Sequence, residues 1–372
     1  MRIFILLLLI NLTNSLILEN KLLYKTNRNL NTYPKKKEYN VGIVGATGAV
    51  GQEIIKCLQK IKFPVSNLNL YTSKKSADIL INTDFGNCLT RKFDLDDAKN
   101  CDLIFLAVSG DFSKKYAEKL CENENTIVID NSSAFRYDDN VPLVIPEINK
   151  NKLKNKKLIA NPNCTTSIAL MALYPIFKCF GLSKVIMSTY QAASGAGNDG
   201  ISDLKNSIKK QMLYDKIPKS EVFSHPLGFN VIPHIDEFQE NLYTKEEMKV
   251  VWEIRKILDS PDLPISCTAV RIPTIRAHSE AITVETLYPI NYDMLIDEYA
   301  YFSGVNVVDD PSNNIYPMPL TSSKKYDVEV GRIRENLIFG KYGLDMFVSG
   351  DQLLRGAALN AVLIAQSIID DQ

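Results

Sequence analysis

The chain has 372 residues, with 43 basic against 43 acidic side chains and a formal net charge of zero. Apolar residues make up 45% and charged residues 23%, which excludes a disordered, collagen-like or disulfide-stapled chain; the length suggests about two domains. The balanced charge gives no electrostatic reason to expect nucleic acid as a partner, the seven cysteines show no CxxC pair, and with only His225, His234 and His278 as histidines no metal site is expected.

The chain opens with Met1-Arg2, an apolar run from Ile3 to Ile10, and then Thr13, Asn14 and Ser15. A short basic start, a short apolar core and small residues form the pattern of a secretory signal peptide, and the run is shorter than the ~20 residues that span a bilayer. Asn20 to Lys37 has no acidic residue and many Asn, Thr and Tyr, a composition unable to bury a core. Together residues 1–37 resemble the bipartite leader of proteins sent into complex plastids; simple secretion or a membrane-anchored terminus is the alternative. No second segment qualifies as transmembrane, so no membrane partner is expected for the mature chain.

Tyr39 to Val44 reads as a short buried strand and runs into Gly45-Ala-Thr47-Gly48-Ala49-Val50-Gly51, after which Gln52 to Leu58 reads as a helix. Glycines between strand and helix permit a tight turn, close backbone approach to a pyrophosphate, and close packing of the helix on its strand. A plain αβ turn is the alternative. Leu68 to Tyr71 reads as the next strand, and Thr72-Ser73-Lys74-Lys75-Ser76 follows it where a NAD-type unit offers an acidic residue to the ribose. Hydroxyls and ammonium groups suit a 2′-phosphate, so NADP is preferred; a solvated lysine pair is the competing reading. Asp102 to Val108 and Thr126 to Asp130 read as further buried strands, with Ser109-Gly110 as a turn over the cofactor. Strands alternating with helices imply an α/β, doubly wound parallel sheet of Rossmann type.

Leu158-Ile159-Ala160 leads into Asn161-Pro-Asn163-Cys164-Thr-Thr-Ser167 and the helical-looking Ile168 to Phe177. A cysteine that opens this helix would meet its dipole and free N–H groups, which favour a thiolate and can hold an oxyanion. Among the histidines, His278 has the richest surroundings, in Arg271-Ile-Pro-Thr-Ile-Arg-Ala-His278-Ser-Glu, just before the strand-like Ala281 to Leu287. From residue type alone, a buried small hydrophobe remains the other reading of Cys164. Glu246 and Lys249 lie three apart in the helical stretch Tyr243 to Leu258, where one face presents both charges or a surface ion pair forms. Asp351 to Ile369 reads as a long helix whose Ala357, Ala358 and Ala361 allow close packing.

The stretches VGIVGATGAVGQE, VIDNSSAFR, VPLVIPEIN, NPNCTTS, STYQAASGAG, GFNVIPHIDEF, TAVRIPTIRAHSEA and RGAALNAV together resemble the aspartate-semialdehyde dehydrogenase family, from about Tyr39 to Gln366. The Asn-Cys-Thr-Thr-Ser run alone is also similar to glyceraldehyde-3-phosphate dehydrogenase; the flanking segments favour the semialdehyde family. N-acetylglutamyl-phosphate reductase would carry Gly-Cys-Tyr-Pro at the nucleophile, and a non-catalytic paralogue would lack the thiol or a substrate clamp. The resemblance implies Cys164 as nucleophile, His278 as its acid–base partner and Gln191 as a substrate-positioning residue. It implies Arg271 on the substrate α-carboxylate, Glu246 on its amino group, and Arg136, Asn163 and Lys249 on phosphate. It places Gly45, Thr47, Gly48, Ala49, Val50 and Gly51 around the pyrophosphate, Ser73, Lys75 and Ser76 on the 2′-phosphate, and Ser194, Gly195 and Gln352 in the cofactor site. Three positions depart from the family pattern: Lys75 where arginine is common, Asp78 where glycine is common, and Gln352 where asparagine is usual. The implied organisation is a leader (1–37), an NADP-binding domain (38–163), an α+β catalytic and dimerisation domain (164–348) and a C-terminal helix (349–372) returning to the first domain. A homodimer or homotetramer is implied, acting on aspartate semialdehyde, aspartyl phosphate and phosphate.

Overall fold

The computed structural model describes residues 37–214 and 217–370; the expected signal and transit leader lies outside the described residues except for Lys37. β1 (Tyr39–Val44) is followed by the glycine turn and α1 (Ala49–Lys60), then by β2 (Val65–Thr72). A small hairpin, β3 (Leu80–Thr83) and β4 (Gly86–Leu89), precedes β5 (Arg91–Lys92). β6 (Leu103–Leu106), α2 (Gly110–Leu120), β7 (Ile127–Asp130) and β8 (Leu158–Ala160) complete the first sheet. Its order is β5-β2-β1-β6-β7-β8 and every pairing is parallel. Val41, Ile43, Ile104, Phe105, Val128 and Ile129 are fully buried, because helices cover both faces of a parallel sheet and its strands therefore read as continuous apolar runs. The expected helix over 52–58 and strand over 68–71 are each longer at both ends. Ser109, expected to turn over the cofactor, caps α2 by accepting from the Phe112 N–H at 3.4 Å.

α3 (Cys164–Phe180) is apolar all round, with Ile168, Leu170, Met171, Leu173 and Ile176 buried without exposure, as expected of a helix enclosed by other elements. Truncating any of these leucines to alanine would cost about 2–5 kcal/mol. The second sheet contains β9 (Lys184–Gln191), β10 (Ile265–Arg271), β11 (His278–Glu285), β12 (Val305–Val307), β13 (Val328–Asn336) and β14 (Gly340–Gly350). It is mixed, in the order β10-β9-β11-β14-β13-β12. β9 alternates, with Val185, Met187, Thr189 and Gln191 buried, so one face of the sheet meets α3 and the other carries Ile186, Tyr190 and Phe347. α4 (Gly197–Tyr214) and α5 (Lys245–Ile257) lie between β9 and β10 in the chain, and α6 (Tyr292–Tyr301) follows β11.

The C-terminal segment differs from the single helix expected over 351–369. A π-helical turn spans Leu354–Ala358, and α7 (Leu359–Asp370) follows it. The buried Asp351 carboxylate accepts from the Leu353 and Leu354 N–H groups at 3.0 and 3.1 Å, so the chain enters the helix through a capped turn. Leu354, Ala358, Ala361, Val362 and Ala365 pack with Ile43, Ile54, Leu58 and Phe105 against the first sheet. Among the described residues no helix is long and apolar enough to cross a membrane.

Candidate active site

The end of β1 turns at Gly45, whose φ of +88° and whose position leave no room for a side chain: a Cβ there would lie 2.2 Å from the Ala107 carbonyl oxygen. Gly51 is equally confined, its Cβ position lying 2.2 Å from the Gly45 oxygen. Gly48 caps α1 without any side-chain hydrogen bond, so the first-turn N–H groups are available to an anion. Thr47 contributes its carbonyl to Gln52 Nε2 at 3.0 Å. At the end of the neighbouring β2, Ser73 and Lys75 are exposed on a single 3₁₀ turn that includes Ser76. Asp78 has φ +63°, a left-handed conformation in which glycine carries no penalty; this is the physical reason a glycine serves at that position.

Asn161 to Asn163 connects β8 directly to α3, and Cys164 is the first helical residue. Asn163 is the cap, its Oδ1 accepting from the Thr165 and Thr166 N–H groups at 2.9 and 3.3 Å. The thiol faces a cleft of about 510 Å³ lined by Arg136, Asn163, Cys164, Gln191, Glu246, Lys249, Arg271 and His278. The structure thus brings together every residue assigned from the sequence to catalysis, substrate and phosphate. A second cleft of about 360 Å³ meets the first at Cys164 and is lined by Gly48, Ala49, Val50, Ser194, Gly195 and Gln352. Gly45, Thr47 and Gly51 shape the turn without lining that cleft, and Ser73, Lys75 and Ser76 stand outside it at the end of β2.

Charged groups in the substrate cleft are tightly paired. Glu246 takes Asn163 Nδ2 at 3.0 Å and Gln191 Nε2 at 3.2 Å on one oxygen, and Lys249 at 3.0 Å on the other. Burial pushes its carboxyl up, but Lys249 and these hydrogen bonds outweigh burial and hold it down at about 2. Lys249 also meets Asp236 at 2.7 Å. Arg136 donates to the Asn161 and Asn131 carbonyls and to Glu253 at 3.1 Å. Arg271 is buried and gives Nη1 to the Ala192 carbonyl at 2.7 Å, leaving its other N–H groups for a carboxylate. Gly195 makes this possible, since a Cβ there would lie 2.7 Å from Arg271 Nη1.

Glu253 was not legible as a site residue in the sequence. It is fully buried, and its second oxygen accepts the Asn163 N–H at 2.6 Å, so it fixes both Arg136 and the start of α3. The available signal was its place at i+7 from Glu246 and i+4 from Lys249, on one face of α5. The wall formed by Val222, Phe223, Ile232, His234, Ile235 and Asp236 was also missed. It belongs to the irregular chain between α4 and α5, where no period marks it.

His278 is fully buried at the start of β11. Its Nδ1 accepts the Ala192 N–H at 3.0 Å, and Nε2 has no hydrogen-bond partner among the described residues. Burial, reinforced by the Arg271 charge, pushes its pKa down to about 3. The neutral ring with an accepting Nδ1 carries its proton on Nε2. Cys164 differs from the thiolate expected of a helix N-terminus: burial, reinforced by Glu246, pushes its pKa up from 9.0 to about 11. A helix end is worth about 0.3–1 kcal/mol, less than the 1.36 kcal/mol of a single pKa unit, so desolvation and the carboxylate win.

Residues 40–156 match the family model described as "Semialdehyde dehydrogenase, NAD binding domain", and residues 173–355 match "Semialdehyde dehydrogenase, dimerisation domain". Aspartate-semialdehyde dehydrogenase from Aquifex aeolicus is 41% identical over 337 residues, covering 90% of this chain and 98% of its own. The Bacillus subtilis enzyme of the same name is 39% identical, covering 88% and 97%. The crystal structure of aspartate semialdehyde dehydrogenase II from Vibrio cholerae superposes with a TM-score of 0.85 at 36% identity, covering 90% of this chain and 99% of that one. The same Vibrio cholerae protein has been solved complexed with ASA. With a glycine turn at an uncapped helix, a thiol at the head of α3 and these relatives along nine-tenths of its length, the chain belongs to the aspartate-semialdehyde dehydrogenase family of oxidoreductases.

Proposed function

We propose that the protein is an NADP-dependent, phosphorylating aspartate-semialdehyde dehydrogenase that works through a thioester on Cys164. The observation that carries this reading is the convergence of a thiol, a neutral imidazole, an arginine able to take a carboxylate and a second cationic pair on one cleft. A crystal structure of the Vibrio cholerae relative complexed with ASA supports the substrate. The uncapped start of α1 fits a pyrophosphate, and Ser73, Lys75 and Ser76 fit a 2′-phosphate, where an acidic side chain would repel it.

In the oxidative direction the Cys164 sulfur bonds to the aldehyde carbon, with Arg271 holding the α-carboxylate, Glu246 the ammonium and Gln191 positioning the substrate beside them. The nicotinamide cofactor supplies a hydride acceptor in this direction and a hydride donor in the other. Loss of hydride from carbon and of a proton from oxygen converts the thiohemiacetal to a thioester. Phosphate held by Arg136, Lys249 and Asn163 then attacks the carbonyl; the C–S bond breaks and the thiolate leaves. Two protons must be placed: the Cys164 thiol proton passes to the aldehyde oxygen as the C–S bond forms, and that hydroxyl proton passes to His278 Nε2 as hydride leaves. The substrate ammonium, on reaching Glu246, cancels the charge that opposes the Cys164 thiolate. His278 presents Nε2–H, which donates to the carbonyl oxygen as negative charge gathers there. For His278 to accept a proton at Nε2, the ring must first move its own to Nδ1 and release the Ala192 N–H. Where NADPH is plentiful the reaction runs in the reductive direction, from aspartyl phosphate and NADPH to aspartate semialdehyde, and the resting Nε2–H is already placed to protonate the oxygen as hydride reaches the carbon.

That direction supplies the precursor of lysine, threonine, methionine and isoleucine, and the composition of residues 1–37 supports a plastid as the site of action. The dimerisation domain supports a homodimer or homotetramer. The test supplies aspartate semialdehyde and phosphate, and follows NADP and NAD reduction by absorbance in the wild type and in Cys164→Ala. Phosphate-dependent NADPH formation that disappears in the variant is expected. A folded protein that reduces neither cofactor would overturn the reading.

A further inference from the structure

The residue before His278, Ala277, is fully buried and has φ +70°, a backbone region that a residue with a Cβ occupies only when its surroundings impose it. Two side chains of the Asp351-Gln352 pair do so. Gln352 Oε1 accepts the Ala277 N–H at 2.8 Å, while its Nε2 donates to Ser194 Oγ. Asp351 takes Arg276 Nε at 2.5 Å, and Arg276 Nη1 continues to Glu53 on α1 at 3.0 Å. The left-handed residue is thus anchored through its own N–H and through the side chain that precedes it. Its conformation sets the direction in which the chain enters β11, and hence where the His278 ring stands relative to the Ala192 N–H and the cleft.

We infer that Gln352 is a positioning residue for His278, holding Ala277 left-handed so that Nε2 faces the reacting carbonyl. The family resemblance places Gln352 in the cofactor site; here both ends of its amide are committed to protein partners that fix the start of β11. The longer arm of glutamine, relative to the asparagine usual at this position, spans from Ser194 to the Ala277 N–H. The inference rests on the reading of His278 as the group that meets the reacting oxygen.

Gln352→Met removes both hydrogen bonds at nearly constant volume, and Ala277→Gly adopts φ +70° without needing a clamp. Turnover and the KM values for NADP, phosphate and aspartate semialdehyde are measured in both single variants and in the double variant. Misplacement of His278 should lower kcat of Gln352→Met about 10- to 100-fold, with KM for NADP within about twofold; adding Ala277→Gly should restore most of the loss. If the double variant stays as slow as Gln352→Met, or if KM for NADP accounts for the defect, Gln352 acts on the cofactor and the inference falls. Should Gln352→Met not fold, Gln352→Leu removes both hydrogen bonds with a different apolar shape and is judged by the same rescue. His278→Ala separates the two claims. Near-normal turnover there would remove the role of His278 itself, whereas an inactive His278→Ala beside an unrescued Gln352→Met would remove only the positioning role.

Discussion

The pKa of Cys164 near 11 makes the free enzyme a poor target for thiol alkylation. At pH 8 about one molecule in a thousand carries the thiolate, against about one in ten for a thiol at 9.0. The hundredfold deficit is partly offset because a more basic thiolate is the better nucleophile; with a Brønsted coefficient of ~0.4–0.5 the two-unit rise returns about tenfold. Alkylation by iodoacetamide should then run about tenfold slower than at an unperturbed cysteine, before any steric hindrance. Its logarithm should climb with unit slope to pH 10 without a plateau. Glu246→Gln removes the charge that reinforces burial and should move the curve to lower pH. The rate is read as mass gain on the Cys164 peptide, with Cys164→Ala as the blank. A plateau below pH 8 in the wild type would refute the reasoning, since it would mean that α3 and the nearby cations already hold a thiolate before substrate arrives.

Three other variants probe separate parts of the site. His278 is neutral when folded and has a pKa near 3, against 6.5 when exposed. Its contribution to stability is therefore complete above pH 6.5 and fades as pH falls toward 3. His278→Gln should flatten the fall in Tm between pH 6.5 and 4, and an unchanged slope would contradict the assignment. Gly356→Ala would put a methyl 2.6 Å from Cys164 Cβ; turnover should fall at least about tenfold as the thiol is displaced, while a near-normal kcat would show that the π turn can yield. Lys75→Ala should raise KM for NADP about 10- to 150-fold, from loss of a charge-assisted hydrogen bond of about 1.5–3 kcal/mol, and leave KM for NAD unmoved. Equal effects on both cofactors would place Lys75 away from the 2′-phosphate.

Local features of the sequence carried far. Strand β1 and its turn were legible because a buried parallel strand is continuously apolar and the turn needs glycine where a Cβ would strike the Ala107 carbonyl. Asn163 before Cys164 has the residue type of a helix cap, and it caps. What depends on distant partners was not legible. The rise in the Cys164 pKa comes from burial and from Glu246, on a helix eighty-odd residues away, so the local helix dipole pointed the wrong way. Glu253 has the pattern of an exposed i,i+4 partner to Lys249, yet it closes under Arg136 and the Asn163 N–H. The π turn at Leu354–Ala358 has almost the same apolar period as an α-helix, and only the cap at Asp351 and the approach of Gly356 to Cys164 distinguish it.

The cleft has walls of two kinds, and this bears on how its chemistry could be redirected by mutation. The floor and one side are strand ends and the head of α3, where Gly195 and Gly356 stand against Arg271 and Cys164 with no room for a methyl. Variation there disturbs the reacting groups before it changes what fits. The opposite side, from Val222 to Asp236, is loop; Val222 lines the cleft and is exposed, and Phe229 and Val231 are exposed in the same loop outside the lining. Within it Phe223 lies under Arg271, Ile232 pairs with the Arg271 backbone and Asp236 holds Lys249, so those three positions belong with the reacting groups. A library aimed at longer or differently branched aldehydes therefore belongs at Val222 and its exposed neighbours in the loop, and spares Phe223, Ile232 and Asp236, so that acceptance of new substrates is varied apart from the machinery that transforms them.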